Sequence, residues 1–268
     1  MRIPLFHVDA FTNQRFRGNP AAVCPLDAWL DDELLRKVAA ENNLSETAFF
    51  MPKSGRSENF YDLRWFTPRG EVRLCGHATL ASAFVLLKML HSGPHEVRFE
   101  TRFSGTLTVR KDDEVFAMDF PAKFANLCTN VPDTLISALG PGPRPSQLME
   151  VNDTYIAEYE HASTIQNMHP DFARLERLHP YVVSVTAPGD DVDFVSRYFK
   201  PSYGMPEDPV TGSVHCALTP YWAERLGKTQ LHARQLSERS GELWCEMAGN
   251  RVILKGNAVL TMQGTLTI

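Results

Sequence analysis

The chain has 268 residues, 43% hydrophobic and 22% charged, which is typical of a soluble globular protein with one large domain or two ordinary ones. Its 27 basic and 32 acidic residues give a formal charge of -5 and are interspersed, so neither nucleic acid nor a membrane surface is an expected partner. The five cysteines are scattered and the first residues lack a long apolar stretch, so we predict a cytoplasmic protein without disulfides or a signal peptide.

The first half predicts short strands and two helices. Alternating and apolar runs predict strands over residues 3–12, 21–24, 47–51, 60–66 and within 97–120. Helical spacing behind an acidic start predicts a helix over 30–42. The run 78–90 is apolar nearly all round, which predicts a helix buried on most sides.

The second half repeats this pattern after a segment rich in Pro, Gly and Asn at 121–145, at whose start we place the domain boundary. It predicts a second apolar helix over 214–226, preceded by a loop over 208–213, and strands over 181–186, 243–246, 251–254 and 258–267. The predicted domains are residues 1–121 with 258–268, and 122–257.

A glycine turn precedes each apolar helix. Gly76-His77-Ala78-Thr79 in the first half resembles Gly212-Ser213-Val214-His215 in the second, which indicates a pseudo-duplication. A curved sheet can cover such a helix on all sides, so we predict an α+β fold with a barrel-like antiparallel or mixed sheet around a central helix in each domain. The strands are not spaced as βαβ units, which makes a doubly wound parallel sheet the weaker alternative.

The two helix starts are candidate sites for a carboxylate, because their backbone N–H groups and dipole attract anions. If the halves face each other, both starts can point into one cleft, with His77, Asp208 and Ser213 at its rim. The alternative is structural: Gly76 and Gly212 permit tight turns, and Ser213 caps a helix.

Glu46 is the candidate acid/base. It stands before Thr47-Ala48-Phe49-Phe50, where aromatic neighbours would remove solvent and favour proton transfer, although a solvated glutamate at a strand entrance is the alternative. Cys75 is interpreted as structural or peripheral. His77, His215 and Cys216 do not form a metal motif, so no metal site is predicted.

Six blocks in order resemble the PhzF-like phenazine-biosynthesis isomerase family. They are Asp9-Ala10-Phe11, Gly18-Asn19-Pro20-Ala21-Ala22-Val23, Leu44-Ser45-Glu46-Thr47-Ala48-Phe49, Phe66-Thr67-Pro68, Cys75-Gly76-His77-Ala78-Thr79-Leu80-Ala81 and Asp208-Pro209-Val210-Thr211-Gly212-Ser213. The phenazine enzyme's motif has no cysteine before the Gly-His pair, so Cys75 is a departure that puts the namesake substrate in question.

The resemblance implies the diaminopimelate-epimerase-like fold, a homodimer, a site between two domains and no cofactor or metal. It implies that Glu46 shuttles a proton on a small carboxylic acid, as in dihydro-hydroxyanthranilate isomerisation, with Asp208 and His77 assisting. Substrate-binding roles fall on Ser213, Gly76, Gly212 and Asn19.

Two other functions stay open. One is a two-base epimerase or racemase of an amino or hydroxy acid, with Glu46 opposed by Cys75 or Asp208. The other is a non-catalytic relative that binds a metabolite or a protein.

Overall fold

The chain divides into two compact units in the computed structural model, which describes residues 1–91 and 95–268. Unit 1 comprises Met1–Asp119 with Lys255–Ile268, and unit 2 comprises Phe120–Leu254. None of the helices in these described ranges is long and apolar enough to cross a membrane.

Unit 1 is built on a mixed sheet. Its strands are β1 (Arg2–Ala10), β2 (Asn19–Pro25), β3 (Thr47–Pro52), β4 (Phe60–Thr67), β5 (Gly70–Val72), β6 (Glu96–Thr101), β7 (Gly105–Asp112), β8 (Val115–Pro121) and, at the end of the chain, β18 (Ala258–Thr267). They pair in the order β18-β1-β2-β3-β4-β6-β7-β8, with β5 added to β4. The pairs β2–β3 and β4–β6 are parallel, and the other pairs are antiparallel.

Each parallel pair of unit 1 is bridged by a helix. Helix α1 (Asp32–Asn42) connects β2 to β3, and it begins where the Asp31 carboxylate accepts the Leu34 N–H at 2.9 Å. Helix α2 (Gly76–Phe84) connects β5 to β6 and packs on β1, β2, β3 and β18. The prediction of a helix over 30–42 is therefore confirmed, and the predicted helix over 78–90 divides into α2 and a π-helical turn over Val85–Leu90.

Helix α2 tolerates complete burial because its few hydroxyl groups bond to its own backbone. Every residue from His77 to Phe84 is buried. The Thr79 hydroxyl donates to the Cys75 carbonyl at 2.6 Å, and the Ser82 hydroxyl donates to the Ala78 carbonyl at 2.7 Å. No hydroxyl of α2 is therefore buried without a hydrogen bond, which would cost stability.

The strands of unit 2 also pair in a mixed arrangement. Its strands are β9 (Asn126–Leu127), β10 (Gln147–Val151), β11 (Thr154–Glu158), β12 (Val182–Pro188), β13 (Phe194–Lys200), β14 (Met205–Glu207), β15 (Gln230–Gln235), β16 (Gly241–Ala248) and β17 (Arg251–Gly256). Its helices are α3 (Asp133–Ala138), α4 (Ala162–Gln166), α5 (Phe172–Glu176) and α6 (Gly212–Leu226).

The second apolar helix, predicted over 214–226, is confirmed as α6, which begins two residues earlier in the chain. Segment 121–145, at whose start we place the domain boundary, contains β9 and α3, which were not predicted. The strands and helices over 147–176 were not predicted either, because each has only five residues.

The two units repeat one sequence of strand pairings, so the halves of the chain are similar in structure. In unit 2 the order β9-β10-β11-β12-β13-β15-β16 is antiparallel except for the parallel pairs β11–β12 and β13–β15. Strand β14 branches antiparallel from β13, as β5 does from β4. In chain order, helix α6 follows β14 and precedes β15, as α2 follows β5 and precedes β6. The predicted α+β fold with two similar halves is confirmed.

A close backbone approach at Gly18 fixes the entrance to β2. Gly18 has φ +66°, and a Cβ there would lie 2.2 Å from the Ala10 carbonyl oxygen. Gly55 has a similar φ of +74° but open space around it.

We expect Gly55→Ala to cost about 1 kcal/mol of unfolding free energy from backbone strain alone, and Gly18→Ala at least about 2 kcal/mol more because the backbone must move. Urea unfolding of both variants measures the difference, and equal costs would contradict the close approach.

Candidate active site

Glu46 lies at the entrance of β3, and β2 holds its backbone. Its carbonyl accepts the Ala22 N–H at 3.3 Å, within the parallel pairing of β2 and β3. The Glu46 side chain is 11% exposed. The chain thus places a carboxyl group at a strand end, mostly removed from water but still reachable.

His77 faces Glu46 from the first turn of α2. The distance from His77 Nε2 to Glu46 Oε2 is 3.3 Å, and the His77 side chain is 7% exposed. Ser45 Oγ lies 3.4 Å from the same nitrogen, and Cys75 Sγ lies 3.5 Å from Nδ1 of the ring. The structure therefore brings together two predicted site residues, Glu46 and His77, and adds Ser45 and Cys75 to them.

Two further predicted residues of unit 1 lie on the same elements. Gly76 opens α2 between Cys75 and His77 and is half-buried. Asn19 is fully buried at the start of β2, opposite Ala10 on β1. The side chain of Cys75, the N-cap residue, makes no capping hydrogen bond to α2, which leaves the first N–H groups of this helix without a cap from that side chain.

Asp208 lies in unit 2, in the loop before α6, and is 4% exposed. The Thr211 hydroxyl donates to its Oδ2 at 2.6 Å, and Lys200 Nζ lies 3.4 Å from its Oδ1. The Gln235 side chain on β15 makes two hydrogen bonds to the backbone of the loop. Its amide N–H donates to the Asp208 carbonyl at 2.7 Å, and its amide oxygen accepts the Thr211 N–H at 2.9 Å. The carboxylate is therefore held at a fixed position.

The first turn of α6 presents one exposed side chain. Ser213 is exposed, whereas Gly212 and Thr211 on its N-terminal side are buried. Thr211, the N-cap residue, makes no capping bond with its side chain, because its hydroxyl donates to Asp208. Asp208, Gly212 and Ser213 are thus neighbours within unit 2, and their meeting with Glu46 and His77 in one cleft stays a prediction.

Thiols other than Cys75 are placed for packing. Burial raises the pKa of Cys216 to about 11 and that of Cys245 to about 12, so both remain protonated near neutrality. His215 and Cys216 belong to α6 of unit 2 and His77 to α2 of unit 1. A different set of metal-ligating atoms, from Glu46, Cys75 and His77, lies within 4.8 Å of one another.

Sequence reasoning missed three residues that shape this site. Ser45 and Thr211 stand inside the blocks that carry the resemblance, so the blocks could have pointed to them. Gln235 lies 27 residues after Asp208, on β15, and only strand pairing brings it to the loop.

The comparisons with known proteins agree with this architecture. The profile of the family described as phenazine biosynthesis-like protein matches residues 8–264. An uncharacterized isomerase of Pseudomonas aeruginosa is 52% identical over 99% of both chains. A crystal structure of a phenazine biosynthesis protein of the PhzF family from Enterococcus faecalis has a TM-score of 0.93, 41% identity and full coverage of both chains.

The fold extends to more distant proteins. A hydroxyproline epimerase from Agrobacterium vitis matches 99% of this chain and 92% of its own with a TM-score of 0.59 at 10% identity, which shows a shared fold alone.

His215 gives this scaffold a pH dependence. Its Nδ1–H donates to the Thr211 carbonyl at 2.7 Å, and burial lowers its pKa from 6.5 to about 4. The unfolded chain therefore binds a proton at a pH where the folded protein does not, so stability present above pH 6.5 is lost as pH falls towards 4.

We expect His215→Asn, whose amide can still donate to Thr211, to have a shallower loss of unfolding free energy between pH 6.5 and 4 than the wild type. Urea unfolding at several pH values measures the slopes. His169→Asn, at an exposed histidine, is the control and should keep the wild-type slope. Parallel slopes for wild type and His215→Asn would contradict this role.

Proposed function

Because this chain belongs to the phenazine biosynthesis-like protein family, we propose that it moves a proton on a small carboxylic acid, with Glu46 as the single base and without a cofactor. The chain is an isomerase, as its relatives from Pseudomonas aeruginosa are named. The proposal concerns the finer mechanism and the class of substrate.

The observation that carries the proposal is the buried pair of Glu46 Oε2 and His77 Nε2, 3.3 Å apart. A general base must lie in a site from which water can be excluded, and a polar neighbour can orient its carboxyl group. His77 supplies that neighbour, and Ser45 Oγ and Cys75 Sγ lie within 3.5 Å of its ring.

The reaction needs only proton movement. Glu46 takes a proton from a carbon made acidic by conjugation to the substrate's acid or enamine group, and the C–H electron pair enters the conjugated system. The carboxyl group then returns the proton to another carbon on the same face, so the product is an isomer and the carboxylate is regenerated. A general base contributes about 10²–10⁴-fold, and positioning and electrostatics must supply the remainder.

The substrate's acid group would be held at the helix starts. Gly76 and Gly212 open α2 and α6, where backbone N–H groups and the helix dipole favour an anion. Exposed Ser213 adds a hydroxyl donor, and Asn19 a side-chain amide. Asp208, fixed by Thr211 and Gln235, would orient a polar group of the substrate.

A two-base epimerase is the second candidate, and Cys75 is the observation that favours it. Its Sγ lies 3.5 Å from His77 Nδ1 and within 4.8 Å of a Glu46 carboxyl oxygen, so a second group able to exchange protons is near, and the substrate carbon would have to part the two groups for them to act on opposite faces. A two-base reaction brings a solvent proton into the product, whereas transfer by one shielded base retains the substrate's own. A homodimer and a cytoplasmic location stay predictions from the sequence.

The test is Glu46→Gln, with Glu41→Gln on the exposed face of α1 as the matched control. Small cyclic and aromatic carboxylic acids, dihydro-hydroxyanthranilate and anthranilate analogues included, are screened by NMR for isomerisation in deuterated water. On an acid that the wild type converts, we expect Glu46→Gln to lose at least about 100-fold in turnover, while the acid still raises its melting temperature.

Glu41→Gln should keep full turnover. Full turnover by Glu46→Gln would rule out the single-base mechanism, and deuterium in every product molecule would favour the epimerase.

A further inference from the structure

We propose that Glu46, Cys75 and His77 bind one thiophilic divalent cation, such as Zn²⁺ or Co²⁺. This inference goes beyond the proposed function, which uses no metal. The carboxylate comes from the start of β3, and the thiol and the imidazole flank Gly76 at the start of α2. Their ligating atoms all lie within 4.8 Å of one another, and all three residues are buried.

The distance between the carboxylate and the imidazole fits a tetrahedral site. Zinc bonds of about 2.0–2.2 Å to nitrogen and oxygen and about 2.3 Å to sulfur place tetrahedral ligand atoms roughly 3.3–3.6 Å apart. His77 Nε2 lies 3.3 Å from Glu46 Oε2 and 3.9 Å from Cys75 Sγ. Cys75 Sγ lies closer to Nδ1, at 3.5 Å, than to Nε2, and the three ligating atoms lie within 4.8 Å of one another, so the thiol must rotate towards Nε2 to complete the site. Three protein ligands leave a fourth position open.

The orientation of the Glu46 carboxylate is an independent observation. Although Oε2 is 3.3 Å from the imidazole, no donor in residues 1–91 and 95–268 meets hydrogen-bond geometry to it. A buried carboxylate oxygen without a donor loses its solvation without compensation. A cation between the carboxylate and the imidazole would supply the missing partner.

The chemistry of the donors selects the metal. A thiolate, a carboxylate and a neutral imidazole balance the charge of a divalent cation, and the thiolate selects zinc-like over magnesium-like ions. The start of a helix favours the negative charge that the thiolate needs. Binding converts the S–H of Cys75 into an S–metal bond and releases one proton, so apparent affinity rises with pH.

Co²⁺ is the probe, because thiolate ligation gives an intense charge-transfer band in the near ultraviolet. Full-length protein, freed of metal with EDTA and kept reduced with a phosphine, is titrated with Co²⁺. We expect one equivalent per chain, a thiolate band that Zn²⁺ abolishes, and about one proton released. The affinity of Glu46→Gln for Co²⁺ should fall more than about 100-fold, because the variant loses a metal ligand and not merely a residue that hydrogen-bonds to one.

Cys75→Ser and Cys75→Ala should lose the band, whereas the control Cys128→Ser, at the half-buried thiol before Asn130, should keep it. Circular dichroism and melting without metal establish that the variants fold, and Glu46→Gln tests the site should both Cys75 variants unfold. A missing band in the wild type, an unchanged band without Cys75 or unchanged affinity in Glu46→Gln would overturn the proposal. None of these readouts uses turnover, so failure of the single-base mechanism would leave the result intact.

Discussion

Helix α2 and the part of α6 from Val214 to Pro220 are buried on every side, and covering them constrains the rest of each unit. An amphipathic helix needs cover on one side, whereas these two must be covered all round. In chain order each connects two strands that pair in parallel, β4 and β6 in unit 1 and β13 and β15 in unit 2, and α2 packs on β1, β2, β3 and β18. Their hydroxyl groups bond to carbonyls one turn back, as Thr79 does to Cys75 and Thr219 to His215. The strand order of each unit is the arrangement that supplies this cover.

A helix buried in this way presents polar groups at its first turn, where backbone N–H groups lack partners within the helix. The two units use that turn differently. In unit 1 it presents His77 to Glu46, two buried titratable groups 3.3 Å apart. In unit 2 the buried His215 binds the Thr211 carbonyl and stabilises the loop that carries Asp208. One scaffold thus provides a buried carboxyl–imidazole pair in one half and a hydrogen-bonded polar loop in the other.

These constraints explain what could be predicted from the sequence. The apolar runs before Leu90 and Leu226 predicted both central helices, because a helix that is apolar all round has few other places in a fold. The five-residue strands and helices over 147–176 escaped prediction, since so short a segment shows too little periodicity. Spacing along the chain left Glu46 ambiguous, and only the block resemblance marked it. Gln235 carries no local signal, because its role arises from the position of β15 beside the loop.

The two proposals for the side chains around Glu46, proton transfer and cation binding, exclude each other. Proton transfer by Glu46 requires a carboxylate lone pair directed at a substrate carbon, in a site where water is excluded. A cation held by Glu46, Cys75 and His77 would occupy that lone pair and fix the imidazole that faces it. It would then act on the proposed reaction as an inhibitor and not as a cofactor. The thiol that departs from the phenazine enzyme's motif is the ligand that makes this competition possible, because Glu46 and His77 alone would bind a divalent cation weakly.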